Sequence, residues 1–173
     1  MIDFTSCAML PDTGVLPSLR EIVPPERRRI EITFQTLLDS VHLAEEMSRC
    51  VAASLGFDDD DQHKISLAIR EGVANALYYG NQECPEKLIH LVFEVDADRF
   101  VVHILDQGRG FALADVPDPL AQENLLKTSG RGIFLMKAFM DELQVLRSSA
   151  GGAELVMAKR LPPCTNNAPS GKH

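Results

Sequence analysis

The sequence predicts an α/β (α+β) two-layer sandwich in which helices cover one face of a mainly antiparallel sheet. Three observations carry that expectation. The elements run strand, two helices, strand pair, loop, helix, strand pair, which is not the alternating βαβ order of a doubly wound fold. Arg29 to Gln35 (RIEITFQ) alternates apolar and polar residues, as a half-buried strand does. Two β-rich runs, LIHLVFEVD from Leu88 to Asp96 and FVVHILD from Phe100 to Asp106, are separated only by Ala97, Asp98 and Arg99, the spacing of a hairpin.

A chain of 173 residues supports one domain with a sizeable core, and its 45% hydrophobic and 24% charged fractions are those of a globular protein. Residues 30–161 read as that single domain. Residues 1–29, broken by Pro11, Pro17, Pro24 and Pro25, read as an irregular extension, and residues 162–173 as a disordered tail rich in Pro, Asn, Ser and Gly. The formal net charge of −8 argues against direct nucleic-acid binding, which needs clustered Lys and Arg. There is no apolar run long enough to span a bilayer, so no membrane contact is expected. The start, MIDFTSCAML, lacks the basic opening of a signal peptide. Cys7, Cys50, Cys84 and Cys164 are scattered without a CxxC, which suits reduced thiols and a cytoplasmic location.

After the first strand, Leu37 to Leu55 has helical periodicity through Leu38, Val41, Met47, Val51 and Leu55, and Gly56 stops it. The run Asp58 to Asp61 suits the loop and N-cap of a second helix, where carboxylates face the positive dipole end. That helix contains SLAIREGVANALYYGN, Ser66 to Asn81. Ile65, Ala68, Ile69, Val73 and Ala76 form its apolar stripe, and Gly80 and Asn81 close it. Beyond the hairpin, Phe111 to Ser129 has the looser pattern of a loop with a short helix at Leu120 to Leu126. Arg131 to Met140 reads as an apolar helix, and Leu143 to Ser148 with Ala153 to Leu161 as a hairpin around Gly151-Gly152.

Three stretches have a composition that suits chemistry. Glu71 and Asn75 are four residues apart and share a helix face; taken alone, such a pair is most simply a solvated stripe. Asp106-Gln-Gly108-Arg-Gly110 places a carboxylate at a strand end, followed by glycines that allow close backbone approach. It lacks the third glycine and the helix of a dinucleotide fingerprint. Ser129-Gly130-Arg131-Gly132 opens a helix, where free N–H groups and the dipole suit phosphate oxygens and Arg131 could add a charge-assisted bond. Tight packing of that helix start on the sheet explains the glycines equally well. His42 reads as a helix-surface residue, Met136, Phe139 and Met140 as core, and His63, Glu86 and His90 lack metal-ligand spacing.

In this order and spacing, Glu71-Gly-Val-Ala-Asn75-Ala76, Asp106-Gln-Gly108-Arg-Gly110 and Ser129-Gly130-Arg131-Gly132 resemble the Bergerat ATP-binding domain of gyrase, Hsp90, histidine kinases and MutL. The resemblance is closest to the anti-sigma factor serine/threonine kinases and spans roughly Ile30 to Leu161. It implies a mainly antiparallel mixed sheet covered on one face by helices. It further implies that Asp106 accepts from the adenine amino group and that Gly108 and Gly110 shape the adenine pocket. Asn75 would give an amide oxygen to Mg²⁺, and Glu71 would be the general base. Phe111 to Ser129 would form a lid over ATP, with Lys127, Thr128, Ser129, Gly130, Arg131 and Gly132 near the phosphates. The implied partners are a sigma factor and a STAS-type anti-anti-sigma protein, phosphorylated on Ser or Thr; a homodimer is also compatible with the resemblance. Two departures stand out: Tyr79 precedes Gly80 where the family often has His, and Ala153 follows Gly151-Gly152 where Thr is common. A nucleotide-gated binding module without kinase activity and a detached histidine kinase catalytic domain remain as alternatives.

Overall fold

The computed structural model describes residues 28–96, 98–109, 131–148 and 151–163. Its elements are β1 (Arg29–Gln35), α1 (Leu38–Ser54), α2 (Asp59–Asn75), a π-helical turn (Ala76–Gly80), β2 (Leu88–Asp96), β3 (Arg99–Leu105), α3 (Arg131–Phe139), β4 (Glu142–Arg147) and β5 (Ala153–Arg160). The strands form one sheet in the order β1-β2-β3-β5-β4. Every described pairing is antiparallel. This is the mainly antiparallel sheet expected, without a parallel pair among the described residues.

Strand alternation divides the sheet into two faces. Ile89, Leu91 and Phe93 of β2 face the helices in register with Phe34, Ile32 and Ile30 of β1. Across β3 and β5 the same face continues through Phe93–Val102–Met157 and Leu91–Ile104–Leu155. Phe93 and Phe100 stack with ring centroids 5.8 Å apart, and Phe57 tilts onto Phe100 at 6.2 Å. Each Leu, Ile or Phe buried here contributes roughly 2 kcal/mol. The opposite face is polar in its middle: Arg29 binds Glu94 at 2.7 Å, and His103 bridges Glu94 (3.1 Å) and Glu154 (2.8 Å).

The helix stripes follow from sequence spacing. Ser40, Val41, Ala44, Ser48 and Ala52 are the buried positions of α1, and Ile65, Ser66, Ala68, Ile69, Gly72 and Val73 those of α2. Buried Ser48 and Ser66 satisfy their hydroxyls by donating to the carbonyls three residues earlier. α1 ends in a Schellman arrangement, with Gly56 at φ +86°, its N–H on the Ala53 carbonyl and the Phe57 N–H on the Ala52 carbonyl. Asp58 caps α2 by accepting from the Asp61 N–H at 2.8 Å, so Asp59, Asp60 and Asp61 occupy the first turn. Gly72 sets how close α2 lies to the sheet. A Cβ there would be 2.5 Å from Ile104 Cδ1 and 2.9 Å from Leu155 Cδ2.

Two element ends beside the site differ from the sequence reading; the other differences, in α1, α3, β4, β5 and the start of β3, are of one residue. α-Helical geometry stops at Asn75, and the last turn to Gly80 is a π turn closed by the Asn81 N–H on the Ala76 carbonyl at 2.7 Å. β3 ends at Leu105, which leaves Asp106 just beyond the strand. The loop and short helix expected between Phe111 and Ser129, the extension before residue 28 and the tail after residue 163 lie outside the described residues. Among the described residues no helix is long and apolar enough to cross a membrane.

Candidate functional site

The C-terminal half of α2 and the π turn that continues it form the common wall of two clusters. At the first, Gly132 near the start of α3 lies against the Glu71–Asn75 face: a Cβ on Gly132 would be 2.7 Å from Glu71 Oε2 and 3.7 Å from Asn75 Nδ2. Any side chain at 132 would occupy the space beside the carboxylate. Glu71 and Asn75 are half-buried, and neither side chain makes a hydrogen bond within the described residues. The solvated stripe that the pair suggests in isolation is therefore covered by a second helix whose N-terminal N–H groups start at the same place.

The second cluster surrounds Asp106, which is 7% exposed. Its Oδ1 accepts from the Gly108 N–H at 2.8 Å and the Ala153 N–H at 3.1 Å, while its own N–H donates to the Ala153 carbonyl at 3.0 Å. Oδ2 accepts nothing among the described residues and faces Gly80, where a Cβ would sit 2.6 Å from it. Three glycines make this packing sterically available. A Cβ on Gly108 would lie 2.1 Å from the Gly80 carbonyl oxygen, and one on Gly152 2.1 Å from the Asp106 carbonyl oxygen. A buried carboxylate with one oxygen saturated by main-chain amides and the other open can take one neutral N–H donor from a ligand.

The structure thus brings Glu71, Asn75 and Gly132 together, and Asp106 and Gly108 together, along one helix. Residues 71 and 80 are separated by roughly 13 Å of helix axis. Of Arg131 only the main-chain position at the start of α3 is described. Gly110, Lys127, Thr128, Ser129 and Gly130 lie outside the described residues. Sequence reasoning did not place Gly80, Asn81, Gln107 or Gly152 in the site. The signal available for Gly80 and Gly152 was only their neighbourhood to Asn81 and Ala153, since a glycine that yields space to a distant carboxylate has no local signature. Of the two departures, Tyr79 is 64% exposed. Ala153 joins the Asp106 cluster through its main-chain N–H and carbonyl.

Comparison with known proteins adds a second line. The profile of the histidine kinase-like ATPase domain matches residues 34–159. The chain is 32% identical over 137 residues to the serine-protein kinase RsbW of Staphylococcus epidermidis, covering 75% of this chain and 85% of that protein. It is 25% identical over 134 residues to the anti-sigma F factor of Clostridium beijerinckii, covering 76% of this chain and 94% of that one. The fold is similar to a crystal structure of the RsbU and RsbW domains of a Mycobacterium tuberculosis protein, with a TM-score of 0.56 at 21% identity over 77% of this chain. This chain spans 32% of that longer one.

Proposed function

We propose that this chain, which belongs to the histidine kinase-like ATPase domain family, is an ATP- and Mg²⁺-dependent serine kinase that also holds a sigma factor. Its phosphoacceptor would be a STAS-type anti-anti-sigma protein, with phosphorylation switching which partner is held. The observation that supports it most strongly is the convergence of Glu71, Asn75 and Gly132 at one end of a helical wall whose other end, roughly 13 Å away along the axis, packs on the buried carboxylate of Asp106. The relatives' names, anti-sigma F factor and serine-protein kinase, support a sigma factor as the protein held and serine as the acceptor.

The described residues fit the nucleotide on two grounds. Among the described residues Asp106 Oδ2 is a buried acceptor that receives no hydrogen bond, and the lack of a side chain at Gly132 leaves clear the position beside Glu71 that a Cβ would take, 2.7 Å from Oε2. Asp106 would accept from the adenine amino group; an acceptor-only oxygen rewards that neutral donor. The roughly 13 Å from Gly80 back to Glu71 is on the scale of an extended nucleoside triphosphate, which would bring phosphate oxygens to the start of α3. There the free N–H groups and the dipole receive anions, and Gly132 keeps the approach open. Asn75 would give Mg²⁺ one amide oxygen, leaving the ion the waters and phosphate oxygens it prefers. ATP-Mg²⁺ held there would supply the γ-phosphoryl group for the serine oxygen, with ADP as the leaving group. Glu71, one turn from Asn75 and without a competing hydrogen bond in the described residues, would take the serine hydroxyl proton.

Incubation with γ-labelled ATP, Mg²⁺ and a STAS-type protein tests this reading. Wild type is expected to yield acid-stable phosphoserine. Glu71→Gln is expected to slow transfer by about 10²- to 10⁴-fold while calorimetry shows ATP affinity retained. Equal transfer by both proteins would remove the general-base role. An acid-labile product would point to a histidine acceptor, and tight ATP binding without transfer to a nucleotide-gated binding module.

A further inference from the structure

Asn81 is wholly buried, and every polar atom of its side chain is used. Oδ1 accepts from the Gln107 N–H at 2.8 Å; Nδ2 donates to Thr36 Oγ1 at 2.8 Å and to the Leu88 carbonyl at 3.0 Å. Thr36 passes the connection on by donating to the Lys87 carbonyl at 2.7 Å, and Gln107 Oε1 returns it by accepting from the Leu88 N–H at 2.9 Å. One amide therefore ties the end of the α2 wall to the chain leaving β1, entering β2 and leaving β3. Its two immediate contacts in sequence are telling. Asn81 follows Gly80, and Gln107 follows Asp106, the two residues that pack directly on each other at Oδ2, where a Cβ on Gly80 would lie 2.6 Å from that oxygen.

The backbone around Asn81 is held away from its relaxed form. Its N–H closes the π turn on Ala76 instead of continuing an α-helix to Leu77, and the Leu77 carbonyl so released accepts from the Glu83 N–H at 2.9 Å. Gln82 and Glu83 both adopt left-handed conformations, φ +57° and +55°, that non-glycine residues avoid. π turns and strained residues persist where surrounding contacts over-determine them. Here the overdetermining contacts are those of the Asn81 side chain.

We propose that Asn81 is a positioning residue for base recognition: its side chain holds Gly80 packed on Asp106 and so fixes where Oδ2 stands to meet the exocyclic amino group of the nucleotide. This rests on the reading of Asp106 as the adenine acceptor. Without the amide, the π turn relaxes and Gly80 shifts relative to Asp106. Oδ1 stays anchored by Gly108 and Ala153, so the carboxylate survives and its spacing to the base is what changes. Discrimination for the amino group is then lost, whereas the remainder of nucleotide binding persists.

The test compares calorimetric affinities for ATP and for purine riboside triphosphate, which lacks only the 6-amino group. Wild type is expected to prefer ATP by about 10- to 100-fold, the value of a hydrogen bond to a charged group. Asn81→Ala is expected to bring the two nucleotides within about threefold, with most of the change in ATP. Asn81→Asp, which keeps an acceptor for the Gln107 N–H, is expected to recover part of the preference. Phe57→Leu, a core truncation against Phe100 at the far end of β3, serves as the destabilised control and keeps the full preference. Should Asn81→Ala not fold, Thr36→Val removes one of the two Nδ2 partners and is expected to reduce the preference about threefold. A wild-type ratio in the variants that fold would overturn the proposal, because a merely structural residue weakens both nucleotides alike. Absence of any preference in wild type would instead remove the Asp106 reading on which the proposal stands.

Discussion

Asp106→Asn is expected to leave the fold standing and to cost ATP about a hundredfold or more in affinity. The amide oxygen of Asn can take the place of Oδ1 and keep the Gly108 and Ala153 N–H bonds, now at 2.8 and 3.1 Å. Its NH₂ group then takes the place of Oδ2 beside Gly80, so a donor confronts the donor of the adenine. That is a mismatch and not merely a lost bond, which makes it worse than neutral removal. Asp106→Ala is the poorer probe, since it strands the buried Ala153 N–H at about 1–3 kcal/mol and also removes the acceptor of the half-buried Gly108 N–H. Titration calorimetry with ATP, beside a urea midpoint within experimental error of wild type, is the expected pair of results. Unchanged affinity would remove the nucleotide-site assignment.

Gly152→Ala is expected to be the most damaging single methyl in the described residues, and its neighbour supplies the control. Gly151 and Gly152 both have φ near +85°, at +88° and +84°. A side chain at either pays the left-handed penalty of roughly 1–2 kcal/mol. At Gly151 a Cβ meets nothing within 4 Å, so that penalty is the whole expected cost. At Gly152 the Cβ falls 2.1 Å from the Asp106 carbonyl oxygen and 2.8 Å from its Oδ1. Main chain cannot rotate away as a side chain can, so the β5 start and the Asp106 turn must separate. That breaks the Ala153–Asp106 hydrogen bonds, and a loss of about 3 kcal/mol or more follows. Urea denaturation of the two variants measures the difference, and Gly152→Ala should also lose nucleotide binding. Equal stabilities would show that the contact between Gly152 and Asp106 is not tight.

The strands were legible because their signals are local. β1 and β2 have the bounds their alternation and turn residues indicated, Arg29–Gln35 and Leu88–Asp96. Asp58 could be read as a cap because capping involves residues three apart. The π turn was not legible: one extra residue in a turn shifts the apolar period too little to register over five residues, and its cause is a buried amide bonded to three remote segments. For the site, the helix face shared by Glu71 and Asn75 followed from spacing, and the glycines of the two downstream segments from composition. What no local pattern contains is which glycine faces which carboxylate. Gly132 yields to Glu71, Gly80 to Asp106 and Gly152 to the Asp106 main chain only after the sheet, α2 and α3 have packed.

A crystal structure of the protein with Mg²⁺ and a non-hydrolysable ATP analogue tests the central claim most directly. The expected result is the adenine amino group within hydrogen-bonding distance of Asp106 Oδ2, the phosphates at the start of α3 beside Gly132, and Mg²⁺ on Asn75 with Glu71 facing the γ-phosphate. A nucleotide bound elsewhere, such as over the polar sheet face around His103, or bound with its base away from Asp106, would contradict it.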